Sequence, residues 1–182
     1  VRRVRIRAVY VGMALHQLCD SLREDLVTIL KAALSAEPNS YQAYLERYNR
    51  FHDDVADRIA AYFRHLLGDP SVNCAIRLAV CHDGNEEYIT HGRSKGMCPS
   101  RKEHSQAIPS DKGIARFLRE KRRRGVFQIR SIPQAIKDNA WFPTATDDLP
   151  DVRTLLIAPI NGYRYTEAQK EMLGILYVTS RN

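Results

Sequence analysis

The C-terminal stretch, residues 151–182, constrains the fold more than any other part of the sequence. Two runs rich in Leu, Ile and Val, residues 154–160 and 172–179, have the length of β-strands, and a polar, turn-like segment separates them. Nearly every position in both runs is apolar, which indicates that both faces of the strands are covered. We therefore predict a central antiparallel hairpin with helices on one side and a second layer on the other. Gly174, inside the second run, indicates a close approach of backbone or ligand rather than a turn.

The chain before this hairpin predicts two long helices and then the rest of the sheet. Apolar residues recur at helical spacing over residues 4–33 and again, with many aromatics, over residues 41–67. Strands are predicted at residues 73–81, 87–93 and 126–132, a helix at 112–124, a long polar loop at 94–110 and an irregular segment at 133–150. In the first of these strands, alternation points Cys74 and Ile76 towards the helices and Arg77 towards the opposite face.

The order of these elements, together with the C-terminal motif, resembles a GAF domain, a small-molecule sensor related to PAS domains. The motif is Ala-Pro-Ile at 158–160, a polar excursion, and Leu-Gly-Ile-Leu-Tyr-Val at 173–178, and the resemblance extends over residues 41–181. It implies an α/β (α+β) fold with a central antiparallel sheet of five to six strands, helices on one face and a helix-loop layer on the other. We expect residues 1–36 to form an N-terminal signalling helix and residues 37–182 to form the sensor domain.

The resemblance also implies a ligand pocket between the sheet and the helix-loop layer. The residues expected to line it are Arg77, His91, Phe117, Trp141, Phe142 and Tyr177. Trp141 is the only tryptophan in the chain, and its position in a loop beside Phe142 indicates that it covers something. If Arg77 faces this pocket, it neutralises an anionic group there, whereas at a sheet edge it would reach solvent.

The apolar stripe over residues 4–33 is narrow and has the spacing of a coiled-coil seam. A helix of about 30 residues with so narrow a stripe needs a partner helix. Two partners fit the pattern, namely the same helix of a second chain, giving a parallel homodimer, or the second helix of the same chain. The cluster of Arg2, Arg3, Arg5 and Arg7 is typical of the cytoplasmic flank of a membrane segment, which would lie upstream of Val1. The alternating residues 4–8 also fit an extended start.

The cysteines and histidines point to no established catalytic or metal-binding motif. Four cysteines without disulfide-scaffold spacing indicate reduced thiols and a cytoplasmic protein. Cys98 lies beside Lys95, Arg101 and Lys102, whose charges favour a thiolate, so a thiol-based redox sensor or enzyme using Cys98 is one alternative. Motifs such as GxSxG and HExxH are absent, and no tight Cys or His pair is present. We predict a non-enzymatic protein without a metal site, and its cofactor is unknown.

One segment accounts for the basic character of the chain. Residues 93–130 contain 12 Lys or Arg and 3 acidic residues, whereas the whole chain has a net charge of +7. A basic module that binds nucleic acid or an acidic partner is therefore a second alternative, although the absence of interleaved aromatics argues against sequence-specific readout. Our first hypothesis is a cytoplasmic sensory domain of a signal-transduction protein, in which a small molecule closes the loops at 94–111 and 133–150 and alters a dimeric helix pair.

Overall fold

The computed structural model describes residues 2–34, 40–96, 105–120, 125–139, 141, 154–163 and 170–181. Its elements follow in chain order as helices α1 (Arg2–Leu34) and α2 (Ser40–Leu67), strands β1 (Asn73–His82), β2 (Asn85–Arg93) and β3 (Ile108–Pro109), helix α3 (Gly113–Glu120), strand β4 (Phe127–Ile129), helix α4 (Ile132–Lys137), and strands β5 (Thr154–Tyr163) and β6 (Lys170–Ser180). Within these ranges, no helix combines the length and the apolar character that crossing a bilayer requires.

All six described strands form one antiparallel sheet in the order β3-β2-β1-β6-β5-β4. The closing strands β5 and β6 therefore lie inside the sheet, as their continuous apolar runs predict. Gly174 of β6 sits opposite Leu78 of β1, and a Cβ at Gly174 would lie 2.4 Å from the carbonyl oxygen of Arg77. This confirms that the glycine marks a close approach of backbone.

Helix α2 covers one face of the sheet. Its Ala56 and Ala60 are fully buried and pack in one cluster with Cys74 and Ile76 of β1 and Val178 of β6. The small alanine side chains let the helix lie close to the strands. The predicted orientation of Cys74 and Ile76 towards the helices is confirmed.

A β-bulge in β2 changes which residues face α2. The register of β1 and β2 shifts once, with His91 as the extra residue between Thr90 and Gly92. The His91 ring lies 5.4 Å from the His52 ring and 6.1 Å from the Tyr48 ring, both on α2. A Cβ at Gly92 would lie 2.3 Å from the carbonyl oxygen of His52. The bulge thus allows the helix backbone to approach the strand at Gly92.

The opposite face is covered by α3, α4 and Trp141. Its buried core contains Tyr88, Ile108, Ile114, Ala115, Leu118, Ile132, Ile157, Ile175 and Tyr177, contributed by the sheet and by both helices. Trp141 and Phe117 are partly buried and pack against this core. The predicted division into a helix face and a helix-loop face is confirmed.

Three local predictions are wrong in extent. The strand predicted to reach residue 132 ends at Ile129, because the Oγ of Ser131 accepts a hydrogen bond from the backbone N–H of Gln134 and caps α4. The segment predicted as irregular from residue 133 therefore begins with a helix that has Pro133 in its first turn. The predicted loop at 94–110 contains β3, which pairs with β2.

Helix α1 packs antiparallel against α2. Arg58 of α2 donates a hydrogen bond to the Oγ of Ser21 and forms an ion pair with Asp25 at 3.0 Å between Nη2 and Oδ2. Ile29 of the predicted seam is buried, whereas Leu26 of the same seam is 45% exposed. Within this chain, α1 therefore uses α2 as a partner helix, and its first residues are helical rather than extended.

Candidate functional site

Three polar side chains, Arg77, Tyr177 and Trp141, meet on the face covered by α3 and α4, and we call them the donor cluster. Ala75 pairs with Tyr177 and Arg77 pairs with Ile175 in the β1–β6 register, so Arg77 and Tyr177 are diagonal neighbours on adjacent strands. Both side chains are buried, with 4% and 5% of their surfaces exposed. The rings of Trp141 and Tyr177 meet edge to face, with centroids 5.8 Å apart. Arg77 thus lies inside the sheet and does not reach solvent at an edge.

The guanidinium of Arg77 is held in place by backbone carbonyls. Its Nη1 donates to the carbonyl oxygen of Tyr88 at 3.1 Å and to that of Gln106 at 2.8 Å. Burial lowers the pKa of Arg77, and the nearby Tyr177 opposes this effect. Because the ordinary pKa of arginine is above 12, the side chain remains a cation at neutral pH. A positive charge is therefore fixed beneath the α3/α4 layer.

The other two members of the donor cluster present buried hydrogen-bond donors. Among the described residues, neither the Oη of Tyr177 nor the Nε1 of Trp141 has a hydrogen-bond partner. Burial raises the pKa of Tyr177 well above its usual range, more than Arg77 lowers it, so the phenol keeps its proton. A buried donor without an acceptor costs about 1–3 kcal/mol. The fold bears this cost at two adjacent side chains.

Trp141 is positioned by α4. Its backbone N–H donates to the carbonyl oxygen of Ala135 at 3.0 Å, across the turn that ends α4. Asn139, between the helix and Trp141, has a positive φ of 53° and turns the chain there. The short helix capped by Ser131 therefore determines where the indole meets the sheet.

A cleft of about 450 Å³ opens between α3, β4 and α4. Buried Ile114 and Ala135, together with Phe117, contribute apolar surface to it, and exposed Arg130 and Asp138 contribute polar groups. Several of its apolar residues belong to, or pack against, the same core as Tyr177 and Trp141. The cleft is thus a solvent-facing opening beside the layer that covers the donor cluster.

The structure brings together some of the sequence-predicted site residues and separates others. Arg77, Trp141 and Tyr177 form the donor cluster, and Phe117 lines the cleft. His91 is not brought to this face, because it lies two residues after Ile89, which pairs with Leu78 on the α2 side of the sheet. Phe142 and Cys98 lie outside the described residues. The polar groups at the cleft, Arg130 and Asp138, were not predicted from the sequence, although the Ser131 cap and Pro133 are a recognisable start signal for the helix between them.

In the described part of the basic segment two arginines form ion pairs, and the described cysteines are free thiols. Arg119 of α3 pairs with Glu86, and Arg116 pairs with Glu120 at 3.6 Å. Among the described cysteines, Cys19 and Cys81 are exposed and Cys74 is buried, and all are free thiols. In the part of the chain that the structure describes, no three His, Cys, Asp or Glu side chains lie close enough to hold a metal ion. Nucleic-acid binding by residues 93–130 and redox chemistry at Cys98 stay predictions.

The architecture is that of a GAF-type fold, as the sequence predicts, with a six-stranded antiparallel sheet between α2 and the α3/α4 layer. No family model matches the chain, and no curated protein matches it. Among solved structures, it is similar to the GAF domain of a phosphoenolpyruvate-protein phosphotransferase from Acinetobacter, with 16% identity, a TM-score of 0.47, and 90% of this chain and 76% of that chain covered.

Two further solved structures show a comparable likeness. The GAF domain of a phosphoenolpyruvate-protein phosphotransferase from Coxiella burnetii is 16% identical, with a TM-score of 0.44, over 90% of this chain and 77% of that chain. NreA from Staphylococcus aureus, mutated in its nitrate binding site, is 14% identical, with a TM-score of 0.46, over 74% of this chain and 86% of that chain.

Proposed function

We propose that this chain is a non-enzymatic, cytoplasmic sensory domain of a signal-transduction protein. It binds a small molecule at the donor cluster and relays its occupancy through α1. The observation that carries the proposal is the pair of buried donors, Tyr177 Oη and Trp141 Nε1, which have no acceptor among the described residues and lie with the buried cation of Arg77. Acceptor atoms of a bound ligand would remove the cost of burying these donors.

The layer over the donor cluster suits a ligand that enters and leaves. Helices α3 and α4 are short, with 8 and 6 residues, and the cleft of about 450 Å³ already separates them at β4. Short elements at a sheet edge open at low free-energy cost compared with the central strands. Ligand binding would favour the closed arrangement of this layer, which is a shift of population between two states.

The relay that we propose uses α1 in a homodimer. Helix α1 buries Ile29 against α2 but leaves other apolar side chains exposed, namely Met13, Leu26, Val27, Leu30 and Leu34. A second copy of α1, in parallel, would cover these side chains, of which Leu26 belongs to the predicted coiled-coil seam. The free thiols of Cys19, Cys74 and Cys81 support a reducing compartment such as the cytoplasm.

Native mass spectrometry of the protein purified from cells tests this proposal, first under gentle and then under denaturing conditions. We expect a small molecule that is released on denaturation. Replacing Ala79→Leu, which adds bulk on the strand position next to Arg77 on the same face, should empty the site. The matched control is Ala61→Leu at an exposed position of α2, which should keep the ligand.

Two negative results together would contradict the proposal. The proposal fails if the wild-type protein is empty and if its Trp141 fluorescence does not respond to a small-molecule extract of the expressing cells. Because Trp141 is the only tryptophan, its emission reports this site alone. Circular dichroism of both variants excludes unfolding as the cause of ligand loss.

A further inference from the structure

We infer that the cleft between α3, β4 and α4 binds an aromatic amino acid in its zwitterionic form. This site is separate from the donor cluster, so the inference goes beyond the proposed function. It follows from the apolar floor of the cleft and from the two opposite charges on its rim.

Aromatic and aliphatic side chains form the floor of the cleft. Phe117 of α3 and Phe127 of β4 meet there edge to face, with ring centroids 5.8 Å apart and an angle of 89° between the ring planes. Both rings and Ile129 are partly buried, and the other apolar residues of the floor, Ile114 and Ala135, are buried. An aromatic ring suits such a floor, because it adds edge-to-face or offset-stacked contacts to the burial of its own apolar surface. The floor therefore favours a ligand with an aromatic side chain.

The rim of the cleft carries one positive and one negative side chain. Arg130 precedes α4 and Asp138 is its C-cap, and both line the cleft. The Nε of Arg130 donates to the Oε1 of Gln128 at 3.4 Å, and the Oδ1 of Asp138 accepts from the Nε2 of Gln134 at 2.8 Å. These contacts restrain one atom of each charged group. Because Arg130 and Asp138 are both exposed, a ligand in the cleft can reach their charged ends.

Opposite charges on one rim favour a ligand that carries both signs. A carboxylate forms charge-assisted, paired hydrogen bonds with the guanidinium of Arg130, and an ammonium group forms an ion pair with Asp138. A ligand with only one of these groups would attract one side chain and repel the other. An amino acid has both groups on its α-carbon and projects its side chain away from them. An aromatic amino acid therefore matches the rim and the floor together.

An occupant of the cleft would also contact the layer that covers the donor cluster. Ala135 lines the cleft, and its carbonyl oxygen accepts the backbone N–H of Trp141 at 3.0 Å. Phe117 and Phe127 of the floor pack against the same core as Trp141. A ligand that bridges α3, β4 and α4 would hold these elements in place. The cleft is thus a second input to the layer above the sheet.

Isothermal titration calorimetry with four probes tests the class of ligand. L-Phenylalanine has the ring and both charges, whereas L-alanine lacks the ring, hydrocinnamate lacks the amine and phenethylamine lacks the carboxylate. We expect saturable binding of L-phenylalanine and at least about tenfold weaker binding of L-alanine, because burial of a phenyl group is lost. The two single-charge probes should bind about threefold more weakly, as expected for the loss of an exposed ion pair. The inference is overturned if L-phenylalanine gives no saturable signal or if any other probe binds as tightly.

Two variants that neutralise the rim charges locate the binding. Arg130→Gln and Asp138→Asn should each bind L-phenylalanine about threefold more weakly. Both should fold, because the residues are exposed and asparagine keeps an oxygen that accepts from Gln134. The matched controls are Arg47→Gln and Asp54→Asn, at exposed positions of α2, and they should keep wild-type affinity. Wild-type affinity in either rim variant, or an equal loss in its control, would overturn the assignment to the cleft.

The outcome separates this inference from the proposed function. Binding of L-phenylalanine that the rim variants weaken supports the cleft site, whether or not a molecule co-purifies at the donor cluster. If a molecule co-purifies and is released on denaturation, but none of the four probes binds, the sensory proposal is sustained and this inference is wrong.

Discussion

Burial decides the chemistry of Cys74. Its side chain is fully buried between β1 and α2, and burial, with a smaller effect from Asp57, raises its pKa to about 12. Because the thiolate is the reactive form, Cys74 should be inert in the folded protein, whereas the exposed Cys19 and Cys81 should react. Iodoacetamide labelling at pH 8, read by peptide mass spectrometry, should modify Cys74 at least tenfold more slowly than Cys81. Equal labelling rates of Cys74 and Cys81 in the native state would contradict the burial of Cys74. In denaturant, where both thiols are exposed, we expect equal rates.

The same group makes stability fall in alkali. In the unfolded chain a cysteine loses its proton near pH 8.5, but folded Cys74 keeps it until about pH 12. The folded state therefore binds more protons in this window, and stability is lost as pH rises from about 8.5 towards 12. Between pH 7 and pH 10, the free energy of unfolding measured in urea should fall by about 1–2 kcal/mol more in the wild-type protein than in Cys74→Ala. Parallel pH profiles for the two proteins would show that Cys74 does not contribute.

The packing of α2 on the sheet depends on the absence of a side chain at Gly92. A Cβ there would lie 2.3 Å from the carbonyl oxygen and 2.9 Å from the Cβ of His52, so Gly92→Ala must push the helix backbone away. Overpacking of this kind costs about 1–3 kcal/mol. The control is Gly84→Asn in the β1–β2 turn, where no atom lies within 4 Å and asparagine tolerates the positive φ of 77°. Urea unfolding should show a loss for Gly92→Ala and a change within about 0.5 kcal/mol for Gly84→Asn.

The sequence predicts elements with a strong repeat and misses those that depend on one residue. Strands β5 and β6 are predictable because nearly all their residues are apolar, and Arg77 was placed on the correct face by simple alternation. His91 lies on the α2 side because Ile89, two residues before it, pairs with Leu78, and period-two patterning within β2 carries no signal for this register. Helix α4 is short, and Val126, Phe127 and Ile129 before it favour a strand that continues past the Ser131 cap. The meeting of Trp141 with Tyr177 depends on tertiary structure between segments distant in sequence.

At the scale of the whole molecule, β1 and β6 connect the two layers. Arg77 and Tyr177 face the α3/α4 layer from these strands, while Ile76 and Val178 face α2 from the same strands. In the proposed relay, a change of position at the donor cluster would reach α2 through these neighbouring residues rather than through a loop. Helix α2 in turn contacts α1 at Arg58. This continuity gives the proposed relay a physical route from the donor cluster to α1.

That route requires α1 to be the dimer contact, which two substitutions test. Leu26 and Leu30 lie four residues apart on one face of α1, and they are 45% and 51% exposed. Leu26→Lys/Leu30→Lys places two lysines on the proposed contact face of each helix and should abolish the dimer, because burying a lysine without a partner is costly. Thr28→Lys is the control, since Thr28 is exposed and lies on the opposite side of the helix. Light scattering after size exclusion should give about twice the 20.8 kDa chain mass for wild type and control, and one chain mass for the double variant. A wild-type monomer at micromolar concentration would contradict the dimer, and the exposed face of α1 would then need another partner before the donor cluster acts as a sensor.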